Sequence, residues 1–216
     1  MRDNPRTPVL SAIAGLVLLG GMVAFTVVVP RLGDESGSAT TPASGASAGD
    51  PIDLPDELPG GLTAIDLGTL PDDLASNFPA ADDLRKQEAS IADGLQEVFD
   101  APGAFRLYAT SDASALAQVT VLDKAPGLFA PDTPPIDPAV LGVTRASSEL
   151  VAVDGAVCSI SYGEGSDVPA GQQVDPAQQP QTVRCQLGAG ERTYEGTTRG
   201  LTAAATVDLL QGLADA

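Results

Sequence analysis

The feature that most constrains this chain is the run VLSAIAGLVLLGGMVAFTVVV from Val9 to Val29, which has no charged residue and lies between Arg6 and Arg31. About 20 apolar residues at roughly 1.5 Å rise per residue cross a hydrocarbon core of about 30 Å, so a run of this length predicts a transmembrane helix over 9–30. It is longer than the h-region of an export signal, and Pro30, Arg31 and Leu32 follow it instead of a small-residue cleavage site. A lipidated N-terminus would need a cysteine just after the run, and Cys158 and Cys185 are the only cysteines.

The tail at residues 1–8 carries Arg2, Arg6 and the terminal amine against Arg31 on the far flank. That bias places the N-terminus in the cytoplasm. Two cysteines in a long domain are most simply one bridge, and such bridges persist outside the reducing cytosol. The sequence therefore predicts a plasma-membrane protein of the bacterial cell envelope, single-pass, with its C-terminal body extracytoplasmic. The abundance of alanine, glycine and aspartate beside few lysines resembles proteins of high-GC bacteria. Ser11 and Gly15, and then Gly20 and Ala24, recur at four-residue spacing, which permits close helix pairing as well as plain lipid packing.

Charge excludes further classes. Setting aside Arg2, Asp3 and Arg6 of the tail, 9 basic and 28 acidic residues remain, a balance of −19. Nucleic-acid binding relies on counterion release by Lys and Arg, so no nucleic acid is expected as a partner. The chain has no histidine, which removes imidazole-based triads and most zinc hydrolysis. Phosphate-binding glycine loops and the EF-hand pattern are also missing, and the sequence implies no cofactor, no metal ligand set and no catalytic residues.

Residues 31–61 are expected to form an acidic, Pro-rich tether. GDESGSATTPASGASAGD, residues 33–50, has no large apolar residue, and the following PIDLPDELPGG favours an extended path that lies against the domain or simply continues the linker. The folded part is placed at 62–216. Leu84, Ile91, Leu95, Val98 and Phe99 fall at helical spacing between Asp82 and Asp100, with Asp82 and Asp83 at the first turn and Pro102 beyond the end. Phe105, Leu107 and Ala109 alternate with Arg106, Tyr108 and Thr110, and Ala117, Val119 and Val121 alternate in the next run, giving two strands. Asp154-Gly155 joins two more as a tight hairpin. A fifth covers Thr182–Leu187, a sixth Glu191–Gly196, and Leu201–Ala216 reads as a closing helix. The order predicts an α+β domain, a mainly antiparallel sheet of about five or six strands with two helices packed on one face, preceded by the transmembrane helix.

Cys158 shares parity with Ala156, Ile160 and Tyr162, and Cys185 with Val183 and Leu187, so both thiols should face the core and form a disulfide. Between the hairpins, residues 123–148 hold Pro126, Pro131, Pro134, Pro135 and Pro138, which forbids regular strand pairing. A long irregular segment in a compact domain either covers a sheet edge or binds something. Leu128, Phe129, Pro134 and Pro135 are the candidate interaction residues, with Leu128, Phe129, Val140 and Leu141 expected to pin the segment down and a helical turn after Pro138.

Three functions fit. The first is a membrane-anchored interaction or accessory module for a protein partner in the envelope, without catalysis. The second is a carboxylate-based glycan hydrolase drawing on Asp72, Asp73, Asp82, Asp83, Asp167 or Asp175, although the chain offers no Trp, 3 Tyr and 5 Phe as sugar platforms. The third is weak calcium binding by the acidic loops at 123–137 or 163–175.

Overall fold

A computed structural model describes residues 51–216 apart from 69, 77 and 132–135. The apolar run at 9–29, the tether at 33–50 and the pair Pro134 and Pro135 lie outside the described residues. Among the described residues, no helix is long and apolar enough to cross a membrane.

The chain enters through β1 (Glu57–Leu58) and β2 (Leu62–Ala64), then a 3-10 turn (Ile65–Leu67), α1 (Asp72–Ala75) and the long helix α2 (Ala81–Phe99). The hairpin β3 (Gly103–Ala109) and β4 (Leu116–Leu122) follows, then the Pro-rich segment with α3 (Pro138–Leu141) and β5 (Val143–Arg145). A second hairpin, β6 (Ser148–Val153) and β7 (Ala156–Ser161), leads through β8 (Val168–Pro169) to the third, β9 (Thr182–Ala189) and β10 (Arg192–Arg199), and α4 (Ala203–Ala214) ends the domain. Among the described residues, eight strands form one antiparallel sheet in the order β1-β2-β3-β4-β10-β9-β7-β6, and β5 pairs with β8 separately. The class is the α+β, mainly antiparallel one, with more strands than the alternation of side chains revealed.

Each turn has a local cause. Asp154 and Gly155 both hold positive φ, 42° and 86°, the geometry that a two-residue hairpin needs to match strand twist. Asp112 accepts from the Ser114 amide, the Ser114 hydroxyl and the Thr110 hydroxyl, which closes the β3–β4 turn. Thr202 caps α4 by accepting from the Ala205 amide. At α2 the N-cap is Ala80, so Asp82 and Asp83 do not cap. They lie inside the first turn, complement its dipole, and pair with Arg85 and Lys86 three residues on.

Cys158 and Cys185 stand opposite each other on β7 and β9, with Cα atoms 4.1 Å apart, and form the disulfide. The principal core joins Val119, Val121, Val183, Cys158 and Cys185 to Val207, Leu209 and Leu210 of α4. A smaller cluster of Ile65, Leu70, Leu84 and Ala109 lies under α2.

The helices do not share a face. Gly196 and Thr198 of β10 meet Leu210 and Thr206 of α4, whereas Gly103 of β3 meets Leu95 of α2. Gly103 is registered with Leu122, which pairs with Thr193; Gly196 is registered with Val119, which pairs with Arg106. Gly103 and Gly196 therefore have opposite parity, and α2 and α4 cover opposite faces, α2 over β3 and α4 mainly over β9 and β10. Strand β3 is buried on both sides as a result: Tyr108 and Phe105 are both buried.

The folded part begins before Leu62, and of the two paths open to 51–61 the chain takes the one against the domain. Leu58 is buried and pairs with Leu62, while Ile52 and Leu54 pack on the principal core. The stretch 51–61, assigned by its prolines to the tether, is a strap across the domain. Tyr108 donates its hydroxyl to the Pro55 carbonyl at 2.8 Å, and Arg106 donates to the Leu54 carbonyl at 2.8 Å, which fixes the strap to β3.

Candidate functional site

Two surfaces concentrate side chains in arrangements beyond simple packing. The first is the Pro-rich segment. Of its proposed pins, Leu128 is 96% exposed, Val140 78% and Leu141 48%, so none of these holds it. Polar contacts do the pinning instead. Arg192 pairs with Asp123 at 3.0 Å, Thr193 donates to the Lys124 carbonyl at 2.7 Å, and the Lys124 ammonium donates to the Phe99 carbonyl at the end of α2. Pro126 lies directly on Gly188 of β9, where any side chain would collide with its ring. Arg184 of β9 pairs with Glu195, donates to the Ala130 carbonyl, and stands over the Phe129 ring at 5.2 Å. Asp123 and Lys124 therefore lie beside β10, and residues 126–130 run along β9 on the sheet face away from α4, with Phe129 turned in beneath Arg184. Leu128 projects into solvent at the crest.

Farther along, Asp137 caps α3 through the Ala139 amide, and Arg145 is buried against Tyr162 at 3.7 Å, donating to the Ser166 carbonyl and the Gln178 side chain. Tyr162 in turn donates to Glu149. Burial, with Glu149 close by, raises the Tyr162 hydroxyl above the usual tyrosine value.

The second surface lies at the β1 end of the sheet, where an ion cluster gathers around Asp66. This carboxylate is 6% exposed and accepts from Arg85 of α2 at 3.0 Å and Arg106 of β3 at 3.1 Å. Arg106 also pairs with Asp56 at 2.8 Å. Helix, strap and strand are thereby locked at one point. Glu88 of α2 accepts the Leu107 amide at 3.1 Å, and its carboxyl is raised above the usual glutamate range because burial disfavours its charge. Burial also pushes the Tyr108 hydroxyl well above the usual tyrosine value. Beside the cluster opens a cleft of about 200 Å³, lined by Ile52, Asp53 and Leu54 of the strap, Ala104, Phe105 and Arg106 of β3, and Asp66 and Glu88.

The acids singled out for hydrolysis are dispersed. Asp72 and Asp73 start α1, Asp82 and Asp83 pair within the first turn of α2, Asp167 accepts the Ser147 amide, and Asp175 accepts the Ala177 amide. Of the loop acids considered for calcium, Asp123 is ion-paired and Asp137 is a helix cap. Among the described residues no three metal-ligating side chains converge. Sequence reasoning missed Asp66, Arg85, Arg106 and Glu88. The available signal was the aspartate itself: inside the apolar run LTAIDL it needs a cation to be buried.

No protein-family model, curated protein or solved structure matches this chain.

Proposed function

We propose that the chain is a single-pass, membrane-anchored interaction module whose extracytoplasmic domain docks a protein partner of the envelope through the crest at Leu128. The single observation that carries this reading is a fully exposed leucine on a segment whose backbone is fixed on both sides of it, by Pro126 on Gly188 and by Arg184 on Phe129 and Ala130. Holding an irregular segment rigid pays its ordering entropy before a partner arrives, so an apolar anchor presented this way binds more tightly than one on a mobile loop. The disulfide supports a domain on the oxidising side, and the uncharged run at 9–29 supplies the anchor.

The test is a photoactivatable side chain at position 128 of the full chain in intact membranes, with position 98 as the control, since Val98 is 68% exposed on α2. One adduct of fixed mass from 128 and none from 98 is the expected result. No adduct at 128, or the same adducts from both positions, refutes the reading.

A further inference from the structure

The edge of β3 beside the ion cluster is open. Strand β2 pairs with β3 only at Thr63–Ala109 and Ala64–Tyr108, then turns away into the 3-10 turn that ends at Gly68 in a left-handed conformation. Below that point β3 has β4 on one side and, among the described residues, no strand on the other.

Alternation of the ladder says which groups face outward. The Asp123 amide bonds the Pro102 carbonyl, and the Thr110 amide bonds the Ala115 carbonyl, so even-numbered residues of this stretch exchange bonds on the β4 side. The Leu107 amide points the other way, to Glu88. Phe105 has the parity of Leu107, so its N–H and C=O both face the open edge, and they do so at the floor of the cleft. The walls are the strap on one sheet face and α2 on the other, and the Asp66 cluster closes one end.

We propose that this slot receives an extended segment of another polypeptide bearing lysine or arginine, which adds to β3 as a strand. Two observations select the occupant. The outward N–H and C=O of Phe105, beside the Leu107 amide that only the Glu88 side chain meets, are complementary to an extended main chain. The slot's free charge is acidic: Asp56 and Asp66 are occupied by Arg85 and Arg106, whereas Asp53 and Glu88 have no ion-pair partner among the described residues. The balance of −19 beyond the tail attracts a basic segment from a distance. The inference goes beyond the Leu128 reading and needs neither that residue nor the anchor.

The experiment uses the isotopically labelled full chain in lipid nanodiscs and resolves single amides by NMR. The probes are a blocked hexapeptide alternating valine with lysine and its counterpart with glutamate for lysine. In the free chain the Phe105 amide should exchange with solvent at least about a hundredfold faster than its β4-paired neighbours Ala104 and Arg106. The lysine peptide should slow that exchange by about tenfold or more and shift resonances of residues 52–54, 88 and 103–107. Asp53→Asn with Glu88→Gln should weaken it by about tenfold without lowering the melting temperature, because glutamine still accepts the Leu107 amide.

Equal protection of Phe105 and Arg106 in the free chain overturns the proposal, because the edge is then closed. So does an unresponsive Phe105 amide at millimolar lysine peptide, equal binding of the glutamate peptide, or shifts centred on Leu150 of the other sheet edge.

Discussion

Removing the disulfide tests the account of stability most quantitatively. Cys158 and Cys185 are fully buried, occupy adjacent strands near the middle of the core, and enclose the polar loop 163–181. With a sequence separation of 27, the chain-entropy relation assigns the cross-link about 3.6 kcal/mol. Replacing both cysteines by alanine also removes two buried sulfurs, adding about 1 kcal/mol of lost packing. Cys158→Ala with Cys185→Ala should therefore cost about 4–5 kcal/mol. At an m-value of about 2 kcal/mol per molar urea, the unfolding midpoint falls by about 2 M. Reduced wild-type chain keeps its sulfurs and loses only the cross-link, so its midpoint should lie between the two. Equilibrium urea unfolding of all three forms separates the contributions. A fall below about 0.5 M in the double variant refutes the reasoning, because β7 and β9 would then be held in register without the bridge.

Four further outcomes follow from the geometry. Asp66→Asn leaves Arg106 with the exposed Asp56 as its carboxylate partner and Arg85 with the exposed Asp82, and should cost about 2–3 kcal/mol by urea unfolding; Arg106→Gln in the same chain should cost much less than the two losses added together. Gly200→Ala should destabilise by more than about 2 kcal/mol, because φ is +74° and the new methyl would strike the Ser114 carbonyl, and thermal melting reads it directly. The raised Glu88 carboxyl means the folded chain holds a proton that the unfolded chain has lost, so stability falls as pH rises just above the usual glutamate value; Glu88→Gln should flatten that part of the stability curve. Asp112 has the opposite sign: its three hydrogen bonds, led by that from the Ser114 hydroxyl, lower it to about 2, so its contribution is present above the usual aspartate value and is lost as pH falls toward 2, a loss that Asp112→Asn should remove.

Much of the fold was legible where a residue admits one local geometry. Asp154-Gly155 marked its hairpin because both positions need positive φ, and the cysteines marked their bridge because parity put both on the inner face. Pro138 behind Asp137 marked the helical turn. What escaped depends on pairing over distance. Glu57–Leu58 and Leu62–Ala64 are too short and too close to prolines to show alternation, yet they become strands because they pair with each other and, through Thr63 and Ala64, with β3, while Arg106 and Tyr108 hold the residues just before them at Leu54 and Pro55. An apolar stripe also says that a helix packs and not on which face. Residues 103–109 read as one-sided because arginine and tyrosine alternate with phenylalanine and leucine, whereas Tyr108 is fully buried under the strap and Phe105 is buried on the opposite face. The ion cluster stayed hidden for the same reason: Asp66, Arg85 and Arg106 are 19 and 40 residues apart along the chain.

The docking claim is tested most directly by Leu128→Asp in the full chain, with a photoactivatable side chain at Gly127, where the surrounding space is open. Because Leu128 makes no buried contact, the melting temperature should stay within about 1 °C of the parent while the adduct from position 127 disappears. An adduct of undiminished yield with aspartate at 128 would contradict the account.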